Sequence, residues 1–165
     1  MSFDNNEQTI GKAGILALVA LRVFIGWHFL YEGLYKLGLE SWTSKPVLSQ
    51  AKWIMSDLYR WMADSPSVLS KVDAMNMYGL TILGFALILG LFTRYAAILG
   101  AILLLSFYLL NPPLPGLYYT TPTEGHYLII NKNLIEMTAL IVLALIPTGK
   151  YFGLDRFLHV VFKKK

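Results

Sequence analysis

The stretch ILALVALRVFIGWHFLYEGLYKL, residues 15–37, decides the fold class. Crossing the hydrocarbon core of a bilayer takes about 20 mostly apolar residues in a helix, and this stretch supplies them. It outruns the 7–15 residues of a signal-peptide apolar region, and no small-residue cleavage site follows it. It therefore reads as a retained membrane helix. Working outward, three further segments read as spans: about 77–92, 95–110 and 127–146, the last cleanly apolar only from Leu134 to Ile146. Thr93-Arg94 between the second and third predicts a tight antiparallel hairpin. Asn111-Pro112-Pro113 and Pro147-Thr148-Gly149 are stop signals, since proline removes a donor and constrains its predecessor.

The whole composition agrees with that reading. Of 165 residues, 56% are apolar and only 15% charged, and the mean hydropathy is +0.53. A soluble domain carries roughly 25% charged residues, so the chain has too little polar material to clothe a globule. Disorder is excluded on the same ground. With no cysteine, disulfides, thiolate metal sites and a cysteine nucleophile are excluded as well. The net charge of +4 owes most of its excess to Lys163, Lys164 and Lys165, a membrane-flanking tail and not the basic face of a nucleic-acid binder.

The expected fold class is therefore all-α: a polytopic membrane protein, one domain over 1–165, with a four-helix bundle. An even number of spans puts both termini on one side, with Lys12, Arg94, Lys150, Arg156 and the basic tail 150–165. The other side has Lys45, Lys52, Arg60 and Lys71, and the 112–125 connection has no Lys or Arg. The positive-inside rule then places the termini in the cytoplasm. The segment 41–75 faces outward. Within it Val47, Leu48, Ala51, Ile54, Met55, Leu58, Trp61 and Met62 recur at helical spacing, which predicts an amphipathic helix on the outer surface. Ser65-Pro66 predicts the start of a second short helix. Trp42, Trp53, Trp61, Tyr118 and Tyr119 suit an interfacial aromatic belt.

The informative residues are ionisable groups inside the spans. Arg22, His28, Glu32 and Lys36 share one face of the first span, within a sector of about 120°, with Gly26 and Gly33 beside Arg22. Lys132, Asn133 and Glu136 share a face of the last span, within about 100°. Counted from the outer ends at 1.5 Å per residue, Glu32 and Lys132 each lie about 9 Å deep, and His28 and Glu136 about 15 Å. The two helices run antiparallel, so the expected pairs are Glu32 with Lys132 and His28 with Glu136. A charge at mid-bilayer costs at least about 2.5–3.5 kcal/mol, so these faces must look into the bundle. Two readings stay open: a closed ion network that fixes helix register, or a polar pocket between the first and last spans opening outward, with His28 at its floor and the 112–125 connection as a lid. Arg22, about 24 Å below the outer end, either snorkels to the cytoplasmic interface or holds an anion.

At these residues the chain resembles the DoxX/DoxD family. Leu21-Arg22-Val23-Phe24-Ile25-Gly26 with Phe29, Gly33 and Lys36-Leu37 is similar to its opening signature. Gly84 through Arg94 is similar to its second. Asn131-Lys132-Asn133-Leu134-Ile135-Glu136, continuing to Pro147-Thr148-Gly149 and Gly153-Leu154-Asp155, is similar to its third. The likeness covers most of residues 15–157. It implies a four-helix bacterial inner-membrane protein, and DoxD-like members are the membrane subunit of thiosulfate:quinone oxidoreductase. Many members have no assigned reaction. The residues carried over are Arg22, Glu32, Lys36, Asn133 and Glu136; His28 lies outside the motif.

On that implication, Arg22, Lys36, Lys132 and Asn133 bind the ligand, Glu32, His28 and Glu136 move protons, and quinone is the acceptor. The chain shows no flavin or nicotinamide fingerprint. His28 and His126 differ by about 15 Å in depth, too far for both to ligate one haem. No haem, flavin or metal is expected, so the electrons need direct chemistry between two bound substrates or a partner subunit on the outer side. The other reading is non-enzymatic: a lipid- or quinone-binding subunit, or an anchor for a partner protein docked on the outer segment.

Overall fold

The computed structural model describes residues 10–120 and 126–157. Within them the chain is mostly helical. The helices are α1 (Lys12–Gly38), α2 (Lys45–Ser49), α3 (Ser56–Asp64), α4 (Pro66–Leu89), α5 (Thr93–Leu110) and α6 (Lys132–Leu145). Two short strands, β1 (His126–Tyr127) and β2 (Ile130–Asn131), pair antiparallel just before α6. A single 3-10 turn, Thr148–Lys150, follows it. The expected basic tail beyond 157, with His159, and residues 121–125 of the expected lid lie outside the described residues.

Among the described residues three helices are long and apolar enough to cross a membrane: Lys12–Leu37, Pro66–Leu89 and Thr93–Leu110. Their outward faces carry large apolar side chains, Phe24, Trp27, Ile82 and Ile102 among them. Water would penalise that surface and lipid accepts it. The protein is a membrane protein.

The bundle forms around backbone contact. α1 and α4 lie against each other through glycines. A Cβ on Gly84 would stand 2.5 Å from the Leu30 nitrogen and 2.8 Å from the Gly26 carbonyl oxygen, and one on Gly33 would stand 2.7 Å from the Thr81 nitrogen. Small residues let helices approach closely in a bilayer, where dispersion between tightly packed backbones replaces the hydrophobic drive. Gly26 and Gly33 of the first span serve this contact with α4. α5 packs along α6. Phe29, Leu87, Leu104, Leu140 and Leu143 fill the centre, and Ala96, Ala97 and Ala101 thin α5 where it meets them. A second apolar cluster, Leu48, Ala51, Tyr59, Ala63 and Leu110, seats α2 and α3 on the C-terminal end of α5.

Several boundaries differ from those read in the sequence. α4 begins at Pro66 and absorbs the expected second short helix of the outer segment. Proline at the first helical position is preorganised for a start, and once started the helix continues straight into the apolar span. The single amphipathic helix expected over 47–62 is broken at Gln50–Met55 into α2 and α3. Ala51 is buried and its carbonyl accepts from Arg60 Nη2 at 2.9 Å, which satisfies the backbone at the break. The hairpin turn sits at Gly90–Phe92, with Gly90 (φ +65°) and Phe92 (φ +47°) left-handed, so Thr93 and Arg94 open α5 instead of forming the turn. α6 begins at Lys132, five residues later than expected. Leu128 is left-handed at φ +65°, and Asn131 caps the helix by accepting from the Leu134 N–H at 3.1 Å. α6 therefore has 14 residues, about 21 Å.

Candidate functional site

The polar residues of α1 and α6 meet at the end of the bundle where α1 finishes and α6 begins. His28 Nδ1 lies 3.0 Å from Glu136 Oε2, the pair the depth count predicts. The other ring nitrogen, Nε2, lies 3.2 Å from Lys132 Nζ. An ammonium can only donate, so Nε2 accepts and the proton sits on Nδ1, which donates to the Glu136 carboxylate. His28 is thus held at both ring nitrogens.

The second expected pair is not formed. Glu32 lies 3.4 Å from Lys36 Nζ, one helical turn along α1, and Lys132 turns to His28. The reason is local. An i,i+4 partner is always within reach of Glu32, whereas a match in depth across helices does not fix the direction each side chain takes. The four formal charges of Glu32, Lys36, Lys132 and Glu136 sum to zero, which eases their burial.

Beside them lies a cavity of about 330 Å³, within the range of small-molecule sites. Its wall includes His28, Glu32, Lys36 and Asn133, four of the residues expected there. Lys132 and Glu136 stand behind His28 and not in the wall. The cavity is also broader than a cleft between α1 and α6. Asn76 and Leu80 enter from α4, Leu104, Phe107 and Leu110 from α5, and Trp42 and Ser44 from the segment after α1. Asn76 Oδ1 accepts from Lys36 Nζ at 3.1 Å. Trp42 and Phe107 lie with ring centroids 5.2 and 5.9 Å from the same ammonium, within cation–π range. Ser44 is held by Asp73, which accepts from its backbone N–H at 2.8 Å and from its hydroxyl. Trp42 thus belongs to the cavity and not simply to an aromatic belt. Asn76 was missed by the sequence reading, which begins the second span at 77, and nothing in its spacing tied it to Lys36.

Arg22 takes no part in this cavity. It is 2% exposed and neither snorkels nor faces Lys36. Its guanidinium donates to Thr148 Oγ1 at 3.1 Å and to the Phe152 carbonyl at 2.7 Å. Beside it Asp155 accepts from the Phe92 N–H at 2.6 Å and the Thr93 N–H at 2.9 Å, closing the N-terminus of α5, where a negative charge is favoured. A Cβ on Gly153 would stand 2.8 Å from Gly90 Cα. The segment after α6 is latched onto the α4–α5 turn.

Among the described residues no group of three or more His, Cys, Asp and Glu side chains could hold a metal.

Fold and site together define a helical membrane protein with a charge-balanced polar cavity at one end. A family model described as DoxX matches residues 17–111, and the chain belongs to the DoxX family. The match takes in α1 to α5, including Arg22, His28, Glu32 and Lys36, and ends before α6. Among curated proteins and among solved structures nothing matches.

Proposed function

We propose that the protein is the membrane subunit of a quinone-linked oxidoreductase of the thiosulfate:quinone type, and that its cavity takes the quinone headgroup. The observation that carries this reading is His28 at the cavity wall, held between Glu136 and Lys132. Quinone reduction consumes two protons for two electrons. An imidazole between a carboxylate and an ammonium can relay protons, taking one at one ring nitrogen as it gives one from the other, so that it never passes below the neutral form. Lys36 supplies a donor to a quinone carbonyl oxygen, and Trp42 and Phe107 offer ring faces to the headgroup. The electrons come from a partner subunit or from a second substrate bound beside the quinone, since the chain has no cysteine.

In this reading α6 is the fourth crossing and both termini are cytoplasmic in a bacterial inner membrane. Support comes from the placement of its ends: Asn133 is at the cavity, and Thr148 is at the α4–α5 turn.

The test is retention. Protein purified in mild detergent and extracted with organic solvent should release a quinone detected by mass. Lys36→Met should lose it while costing about 1.5–3 kcal/mol, the worth of the hydrogen bond that the ammonium gives Asn76, with the exposed side of the Glu32 pair adding little. A stable Lys36→Met protein that keeps its quinone would overturn the reading.

A second reading, a non-enzymatic subunit that holds a lipid or quinone or anchors a partner, draws on α3 and its approach. Ile54, Leu58 and Trp61 recur at i, i+4 and i+7 and are exposed, while Tyr59 and Ala63 of the same helix face inward. A co-purifying polypeptide lost on Trp61→Ser would favour it.

A further inference from the structure

A groove of about 360 Å³ runs between α5 and α6, and it shares no lining residue with the polar cavity. Its floor is Ala101 and Ala144, both buried, and Ile98, Ile102 and Ile141 form exposed rims. Arg94, in the first turn of α5, lies at one end, and Leu105 on α5 and Met137 on α6 mark the other. Every lining residue but Arg94 is apolar.

We propose that this groove binds one acyl chain of an anionic glycerophospholipid whose phosphate is held by Arg94. Three observations point to that occupant. From Arg94 to Leu105 the helix rises about 16 Å, against about 15 Å for half the hydrocarbon core, so a headgroup at Arg94 leaves a chain of one leaflet's depth to fill the groove. The groove is on the outside of two packed helices, where small alanines leave a channel that lipid can enter. The exposed cations Arg94, Lys150 and Arg156 gather at this end of the bundle, while its carboxylate Asp155 is engaged with the backbone of Phe92 and Thr93. The surplus charge there is positive, and guanidinium binds phosphate with two parallel hydrogen bonds.

The experiment is native mass spectrometry of the full chain, delipidated in detergent and titrated with phosphatidylglycerol and phosphatidylcholine carrying the same acyl chains. The wild type should retain phosphatidylglycerol about tenfold over phosphatidylcholine: both carry the phosphate, but the choline ammonium cancels its charge and is repelled by the cations gathered at Arg94. Arg94→Gln should bring that ratio close to one by weakening phosphatidylglycerol far more than phosphatidylcholine, whose remaining retention also shows that the variant is folded. Ile141→Trp, which fills the groove from its exposed rim, should weaken retention of both lipids. Equal retention of the two lipids by the wild type, an undiminished preference in Arg94→Gln, or full retention in Ile141→Trp would each overturn the proposal. The quinone reading stands or falls separately, because none of its residues is altered.

Discussion

His28 is satisfied from both sides, by Lys132 at one nitrogen and Glu136 at the other. Its state therefore depends on neighbours outside the cavity wall. Removing Glu136 leaves Nδ1–H without its acceptor. Glu136→Ala should cost about 1.5–3 kcal/mol, the worth of a hydrogen bond to a charged group. The double change with His28→Ala should cost clearly less than the sum, since one interaction cannot be lost twice. Additive losses in a detergent melting cycle would show that the two side chains do not interact. The other charged latch behaves likewise. Asp155 holds the Phe92 and Thr93 N–H groups from 63 and 62 residues away, so Asp155→Ala should also lower stability by about 1.5–3 kcal/mol; an unchanged melting temperature would contradict this. Counting depth along two antiparallel helices is enough to foresee His28 with Glu136. It is not enough for Lys132, because height along an axis leaves the side chain's direction open, and Lys36 competes for Glu32 at every depth.

At the scale of elements, the contact of α1 with α4 is the most constrained. Gly84→Ala puts a methyl against the Leu30 backbone, which cannot move aside as a flexible side chain would. The helices must separate, and a loss above about 2 kcal/mol is expected. Gly79, on the same helix, has nothing within 4 Å of an added Cβ. Gly79→Ala should stabilise by about 0.4–1 kcal/mol through the unfolded chain's lost freedom. Equal effects from the two would mean the crossing is not close. Outside the spans, burial raises the Tyr59 phenol above its ordinary value of 10.0, and its hydroxyl donates to the Ser106 carbonyl at 2.9 Å. A raised folded pKa means the unfolded chain ionises first. Stability is then intact below about pH 10 and falls as pH rises through the folded value. Tyr59→Phe should cost about 1 kcal/mol at neutral pH and flatten that alkaline fall; an unaltered alkaline limb would rule Tyr59 out as its cause. The spans were legible because hydropathy reports where lipid is met. Where a helix starts was not. Residues 66–76 carry Lys71, Asp73 and Asn76 and look like surface, yet they are the first turns of α4. Tyr127 to Ile130 look like a span, yet Leu128 and Asn131 turn them into a hairpin.

At the scale of the molecule, the stretches by which the chain resembles its family meet at two places. Arg22, Gly90, Thr93, Thr148, Gly153 and Asp155 form the latch, and Glu32, Lys36 and Asn133 form the cavity wall. One end closes the bundle, and the other carries the polar opening. Under the proposed topology the cavity end is outside. A cysteine at exposed Thr43 should react with an impermeant thiol reagent in intact spheroplasts, and one at Lys150 only after lysis; the reverse pattern would invert the orientation. The central claim, a quinone headgroup in the cavity, is tested most directly by photolabelling the purified protein with an azido-ubiquinone and mapping the label. The account predicts adducts on the peptide that carries Lys36 and Trp42 and on Phe107, suppressed in Lys36→Met. Adducts confined to the lipid-facing surfaces of α5 and α6, or labelling that Lys36→Met leaves unchanged, would contradict it.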